Sequence, residues 1–359
     1  MLFSPTRFGA LHLRNRIARS ATWEGMSTDE GLVTDALLAL IGDLAKGGCG
    51  LIISSHVYVE REGQASPRQV GGYDESCKPG LARQAAAAHE HGAPIVLQIS
   101  HGGLLSNAGI TGKKPVGPSA VEGGAAMTRE NMALVAKAYA AAAAMGREAG
   151  YDGVQIHAAH GYLLSQFLCP HCNQRSDEYG GSLENRARYP LEVYRAVRGA
   201  VGSAYPVLMK INCTDFMPDG LVPDEAVEVC AMMENAGLDA VEISGGTRFG
   251  SRNAFPAGKI PFSATEGYYR EEARLYKSKV ALPLLLVGGF RSLAGANGIL
   301  KDGLADAVAF SRPLIREPDF PARWMAGAAD TTACISCNLC HQKGRDGGGI
   351  RCAAEEKGK

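Results

Sequence analysis

His157, His160 and Tyr162 fall within six positions, at and just after the end of the short apolar run 153–157. Two imidazoles spaced like this can hydrogen-bond one carbonyl oxygen, and a phenol two residues on can supply a proton beside it. The chemistry suggested is polarisation and then protonation of an unsaturated carbonyl compound. A single histidine in a strand is usually a satisfied structural side chain, so the grouping carries the signal. Two histidines can also ligate zinc in a hydrolase, but the sequence identifies no third ligand to join them.

A strand must end at His157 for this trio to face a ligand, and the chain supplies seven more strands of the same kind. The runs 16–20, 50–55, 94–99, 153–157, 206–212, 240–244, 284–288 and 307–311 are mostly apolar throughout, as in parallel strands covered on both faces. Helical patterns lie between them at 34–45, 81–91, 132–149, 183–200, 223–236 and 271–280. Eight strands alternating with helices over this length predict a (β/α)8 TIM barrel, here 1–328, with a short cysteine-containing C-terminal extension at 329–359. The competing open doubly wound sheet is weakened because no strand leads into G-x-G-x-x-G and no G-x-x-x-x-G-K-[ST] occurs.

Such barrels gather their chemistry at the C-terminal ends of the strands. Ser20, Gln98, His157 and Lys210 stand at or near the ends of strands one, three, four and five. Gly245-Gly246, Gly288-Gly289 and Ser311-Arg312 follow strands six, seven and eight. Glycine backbones that approach an anion closely, with an arginine to clamp it, predict a phosphate site there. Lys210 also admits a structural reading as the partner of a buried acid. His101 reads as support for the Gln98 strand end, and the stretch 177–188 as capping and packing after strand four.

The motifs L-F-S-P at 2–5, L-R-N-R-I at 13–17, Q-I-S-H-G-G at 98–103, G-P-S at 117–119, H-A-A-H-G-Y at 157–162, D-E-Y-G-G-S-L-E-N-R at 177–186 and R-P-L-I-R-E-P at 312–318 resemble the Old Yellow Enzyme family of flavin-dependent ene reductases. The resemblance covers nearly the whole chain. It implies non-covalent FMN, NAD(P)H as co-substrate, and an enone- or enal-type substrate. By the same resemblance His157 and His160 hold the substrate carbonyl oxygen and Tyr162 protonates the α-carbon. Gln98 and Lys210 match residues that bond the flavin pyrimidine, with His157 over the ring and Ser20 and Thr22 against the isoalloxazine. Gly289, Ser311 and Arg312 match the phosphate site, with Gly246 and Gly288 beside it. One departure is Trp23, which stands where relatives carry a redox-tuning Cys or Thr, and which is expected to reshape the substrate pocket.

The second departure is Cys334, Cys337 and Cys340, with Cys352 further on. Three thiolates from one loop plus a distant fourth suit a 4Fe–4S cluster, and the segment is similar to that of the trimethylamine dehydrogenase / 2,4-dienoyl-CoA reductase branch. Four thiolates also suit zinc, and unmetallated thiols are the plain alternative. A cluster favours a second function, an amine dehydrogenase-like flavoprotein passing electrons from FMN to an external acceptor. Trp23 and His157 stand against it. Cys169 and Cys172 in C-P-H-C read as two neighbouring thiols.

Composition sets outer limits. The 359 residues hold 37 basic and 37 acidic side chains, which gives no electrostatic case for nucleic acid or anionic membrane. The first residues lack the pattern of a signal peptide and no apolar stretch is long enough to span a bilayer, so the expectation is a cytoplasmic protein with reduced thiols. A homo-oligomer is compatible with this sequence.

Overall fold

The computed structural model describes residues 1–249 and 266–356. Eight parallel strands close into a barrel: β1 (Ile17–Arg19), β2 (Leu51–Tyr58), β3 (Ile95–Ser100), β4 (Gly153–Ala158), β5 (Val207–Asn212), β6 (Ala240–Ser244), β7 (Leu284–Leu286) and β8 (Ala307–Phe310). Each pairs with its sequence neighbours and β8 pairs with β1, which abolishes edge strands. All eight predicted strands are present, within a few residues at their ends.

Side-chain alternation explains both core and site. Ala18, Leu51, Ile53, Val96, Leu208, Ala240, Leu285, Ala307 and Ala309 meet in the barrel interior, and Phe8, Leu11 and Leu13 of an N-terminal hairpin join the same cluster. Two residues further along the same inward rows the side chains turn polar: Ser20 after Ala18, Gln98 after Val96, Lys210 after Leu208 and Glu242 after Ala240. The outward rows pack against helices in a second apolar cluster. A strand buried on both sides reads as continuously apolar until it nears the mouth.

Helices α1 (Asp35–Lys46), α2 (Lys78–His89), α3 (Arg129–Glu148), α4 (Leu183–Val201), α5 (Pro223–Asn235), α6 (Arg270–Lys279), α7 (Leu293–Lys301) and α8 (Arg312–Arg316) follow the strands in turn. Side-chain caps start several: Thr34, Thr128, Ser182 and Ser292 each accept from a backbone N–H in the first turn. Ser182 belongs to the 177–188 stretch, where Arg175 also pairs with Asp177 and Arg186 with Glu225, so that stretch builds structure. Helix α7 forms although Gly295 and Gly298 lower its helix propensity by about 1 kcal/mol each.

The segment after residue 328 lies over the barrel mouth. Arg68 donates to the carbonyls of Gly344 and Gly347, Ile350 N–H donates to the Glu24 carbonyl, and Thr332 N–H donates to the Arg291 carbonyl. Arg312 donates to Asn338 Oδ1 at 2.7 Å. Loops after β1, β2, β7 and β8 therefore all hold the cysteine-bearing tail. Among the described residues no helix is long and apolar enough to cross a membrane.

Candidate active site

The polar layer at the top of the inward rows is one connected network. Gln98 Nε2 donates to Gln155 Oε1 (2.6 Å), Gln155 Nε2 donates to Glu242 Oε2 (2.8 Å), and Ser20 Oγ donates to Glu242 Oε1 (2.6 Å). Lys210 Nζ donates to Glu242 Oε1 at 2.9 Å and to Ser20 Oγ at 2.8 Å, with both ions of the pair almost fully buried. Lys210 is thus ion-paired, as its structural reading expects, and it also lines the cavity above. An ammonium has three protons, so one remains for a ligand. Gln155 and Glu242 were missed, although polar residues inside otherwise apolar strands were the available signal.

Above this layer stand the histidines and the tyrosine. His157 Nδ1 accepts from the Ala159 N–H at 3.3 Å, which places its proton on Nε2. His160 Nε2 lies 2.7 Å from Ser244 Oγ, and its backbone N–H donates to Asn212 Oδ1. That turn is left-handed at both His160 (φ 61°) and Gly161 (φ 79°). A side chain at Gly161 would meet Thr247 Oγ1 at 2.4 Å, so the β6 loop is packed directly on the turn between His160 and Tyr162. The rings of His157 and His160 meet edge to face at 5.3 Å, and those of His157 and Tyr162 at 4.9 Å.

A fourth aromatic donor, His56, joins them. Its Nε2 lies 3.3 Å from Tyr162 Oη. Strand β2 carries one extra residue between Ile53 and His56, and this bulge brings His56, instead of Ser55, onto the inward row opposite Gln98. The strand runs on to Tyr58, three residues past the predicted end at Ser55. Burial, then Arg248 and Lys210, push the His56 pKa down to about 3. Burial and neighbouring positive or imidazole groups likewise hold His157 and His160 well below the usual range, and burial raises Tyr162. The site is three neutral imidazoles around a protonated phenol.

Ser20, Thr22, Trp23, Gln98, His157, His160, Tyr162, Lys210, Gly288, Gly289, Ser311 and Arg312 all line one cavity of about 630 Å³, a size suited to a cofactor with room for a second ligand. Thr22 and Ser311 share a 2.6 Å hydrogen bond across its floor. Trp23 Nε1 donates to the Pro67 carbonyl, which fixes the indole against the wall. Gly246 does not reach the cavity. Its N–H donates to the Thr214 carbonyl and its own carbonyl accepts from Asn212, so the expectation of a phosphate contact there is not met. His101 is buried, bonded to Glu60 and to the Gly103 N–H, in keeping with support of the β3 end.

Residues 1–331 match the model of the NADH:flavin oxidoreductase / NADH oxidase family. The chain belongs to this family, that of the Old Yellow Enzymes. Among its relatives a metal reductase of Desulforamulus reducens is 36% identical over 346 residues, which cover 94% of this chain and 51% of the relative. A 4,4'-dithiodibutanoate disulfide reductase of Rhodococcus erythropolis is 32% identical, covering 94% and 92% respectively. Among solved structures, a 2-naphthoyl-CoA reductase complex superposes with a TM-score of 0.87 at 29% identity, covering 95% of this chain and 54% of that one. This Old Yellow Enzyme relative therefore spans about half the length of the first and third of these.

FMN is the cofactor of the NADH:flavin oxidoreductase family, and the donor set fits it. Lys210 and Gln98, from β5 and β3, bring a cation and an amide to the cavity lining; Gly288, Gly289, Ser311 and Arg312, just after β7 and β8, line it as well. No carboxylate lines the wall among the described residues. The tail completes the picture. Cys334, Cys337, Cys340 and Cys352 all line a second, small pocket, and Arg312 and Asn338 line both that pocket and the main cavity. Burial raises Cys334, and it pushes Cys340 up to about 11. Among the described residues no group of three or more His, Cys, Asp or Glu side chains is arranged to hold a metal ion.

Proposed function

We propose that the chain is an ene reductase, reducing the activated C=C bond of α,β-unsaturated carbonyl compounds at the expense of NAD(P)H. The observation that carries this reading is the convergence of His157, His160 and Tyr162 on the cavity that also presents Lys210, Gln98 and Arg312. FMN, when bound, supplies to the β-carbon the hydride taken from NAD(P)H. Charge then grows on the carbonyl oxygen, where the His157 Nε2–H and the His160 ring stand as preplaced donors. Tyr162 gives its proton to the α-carbon, and its raised pKa keeps that proton in place until needed. Solvent restores it, so NAD(P)H, one proton and the alkene become NAD(P)⁺ and the saturated product. Lys210 and Gln98 would hold FMN by its polar ring edge, where the Lys210 charge would favour accepting electrons, and Ser20, Thr22, Gly288, Gly289 and Ser311 would shape its seat.

An absorbance spectrum tests this. NADH or NADPH added anaerobically should bleach a yellow protein, and 2-cyclohexenone should restore the colour. Bleaching by trimethylamine alone would replace this reading with the amine dehydrogenase-like one. That second reading draws support from the shared wall at Arg312 and Asn338, which sets the thiol pocket beside the flavin cavity.

Residues 1–328 then form the FMN-binding barrel and 329–359 a cysteine-rich extension. The order Cys334, Cys337, Cys340 and Cys352, with all four lining one pocket, supports a 4Fe–4S cluster, and zinc is the alternative for the same four thiols. Iron and sulfide analysis, with broad brown absorbance beyond the flavin bands, tests that; a zinc-loaded colourless tail would reverse it. None of the ten cysteines is in a disulfide, which suits the cytoplasm.

A further inference from the structure

Arg248 follows β6 in the loop that packs on Gly161, so it is mounted directly over the turn joining His160 to Tyr162. Arg248 is among the residues that line the main cavity, and it is exposed. The other cations of that wall differ in their partners. Lys210 is neutralised by Glu242, Arg312 is bonded to Asn338 and the Ser336 carbonyl, and Arg345, exposed like Arg248, sits on the tail next to Gly344, which Arg68 holds. Arg248 has no hydrogen bond or ion pair among the described residues. Positions 250–265, which come next in the sequence, contain no acidic residue. No carboxylate lines the cavity among the described residues either. The anion site of glycines and Ser311 lies at the ends of β7 and β8, whereas Arg248 is tied through Gly161 and Thr247 to the turn that carries the proton donor. Its charge is felt by His56, His160 and Tyr162, and also by His341 of the tail across the cavity lining.

We propose that Arg248 pairs with a carboxylate carried by the substrate, so that the preferred substrates are activated alkenes bearing an acid group. This rests on the ene-reductase reading. Guanidinium meets carboxylate through two parallel N–H···O bonds, which fixes orientation as well as affinity. Because Arg248 is exposed, the expected discrimination is about tenfold, well short of what a buried pair gives.

The test uses the holoenzyme and two compounds that differ by one charge, 4-oxo-4-phenylbut-2-enoic acid and its methyl ester. The native protein should turn over the acid with the higher kcat/KM. In Arg248→Met the acid-to-ester ratio of kcat/KM should fall about tenfold, and Arg248→Lys should retain part of it. Titration of the oxidised protein with the saturated acid, followed by the flavin spectrum, should show a matching loss of affinity without any turnover. A merely structural role lowers acid and ester together and leaves the ratio in place, which overturns the proposal, as does a native preference for the ester. A ratio left intact while reduction by NADPH slows relative to NADH overturns it too, and assigns Arg248 to the nucleotide 2'-phosphate. If a nicotinamide-reduced protein is reoxidised by neither compound nor by 2-cyclohexenone, the ene-reductase reading itself has failed.

Discussion

Tyr162 holds the one acidic proton among three neutral imidazoles, so its removal separates the half-reactions. Tyr162→Phe should slow reoxidation of the reduced flavin by an enone roughly 10²- to 10⁴-fold, while reduction by NAD(P)H stays near native speed in stopped-flow traces. The histidines give the fold a pH signature. His56 titrates near 3 when folded against about 6.5 in an unfolded chain, so below 6.5 the unfolded state takes up the proton first. The stability tied to it is fully present above pH 6.5 and drains away as pH falls toward 3, and His157 and His160 act in the same direction. Melting temperatures between pH 7.5 and 4.5 should fall steeply, and less steeply in His56→Gln; equal slopes would refute the assignment. The meeting of His157, His160 and Tyr162 was legible in the H-A-A-H-G-Y motif with its flanks. His56 was not, because a bulge is a fact of strand pairing, and the residue it selects changes with one unit of register.

Strands β5 and β6 carry the costliest element of the design, a lysine and a glutamate paired in the barrel interior. Glu242→Leu leaves the Lys210 ammonium buried without its carboxylate and should cost about 3–5 kcal/mol in urea unfolding; a loss under 1 kcal/mol would show that Lys210 finds other relief. The loop after β4 makes a second prediction. Gly161→Ala forces a Cβ onto a left-handed residue and into Thr247 Oγ1, so activity and melting temperature should both drop. Thr247→Ala in the same chain should recover part of the loss, since it removes the contacted atom. The strands themselves were readable as apolar runs, and their polar tips as a site. Gly246 misled because a Gly-Gly pair signals a close turn, and here the turn is closed by Thr214 and Asn212 within the protein.

Across the whole molecule, barrel and tail are joined through Arg68, Glu24, Arg291 and Arg312, so the cysteine segment forms part of the cavity rim. Sequence could show four thiols in a suggestive order, but their place above the barrel depends on long-range contacts between loops that no local pattern records. Charge is arranged in the same long-range way. Acidic and basic residues balance over the chain, yet the wall formed by Lys210, Arg248, Arg312 and Arg345 has no acidic member among the described residues. A neutral protein with a one-sided mouth captures ligands by long-range steering: field lines leaving that opening reach about 10 Å at 0.1 M ionic strength. Association rates of negatively charged ligands should therefore slow as sodium chloride is raised from 10 to about 300 mM, while those of uncharged ones stay level. Parallel salt curves for the two would mean that the opening gathers its ligands by diffusion alone.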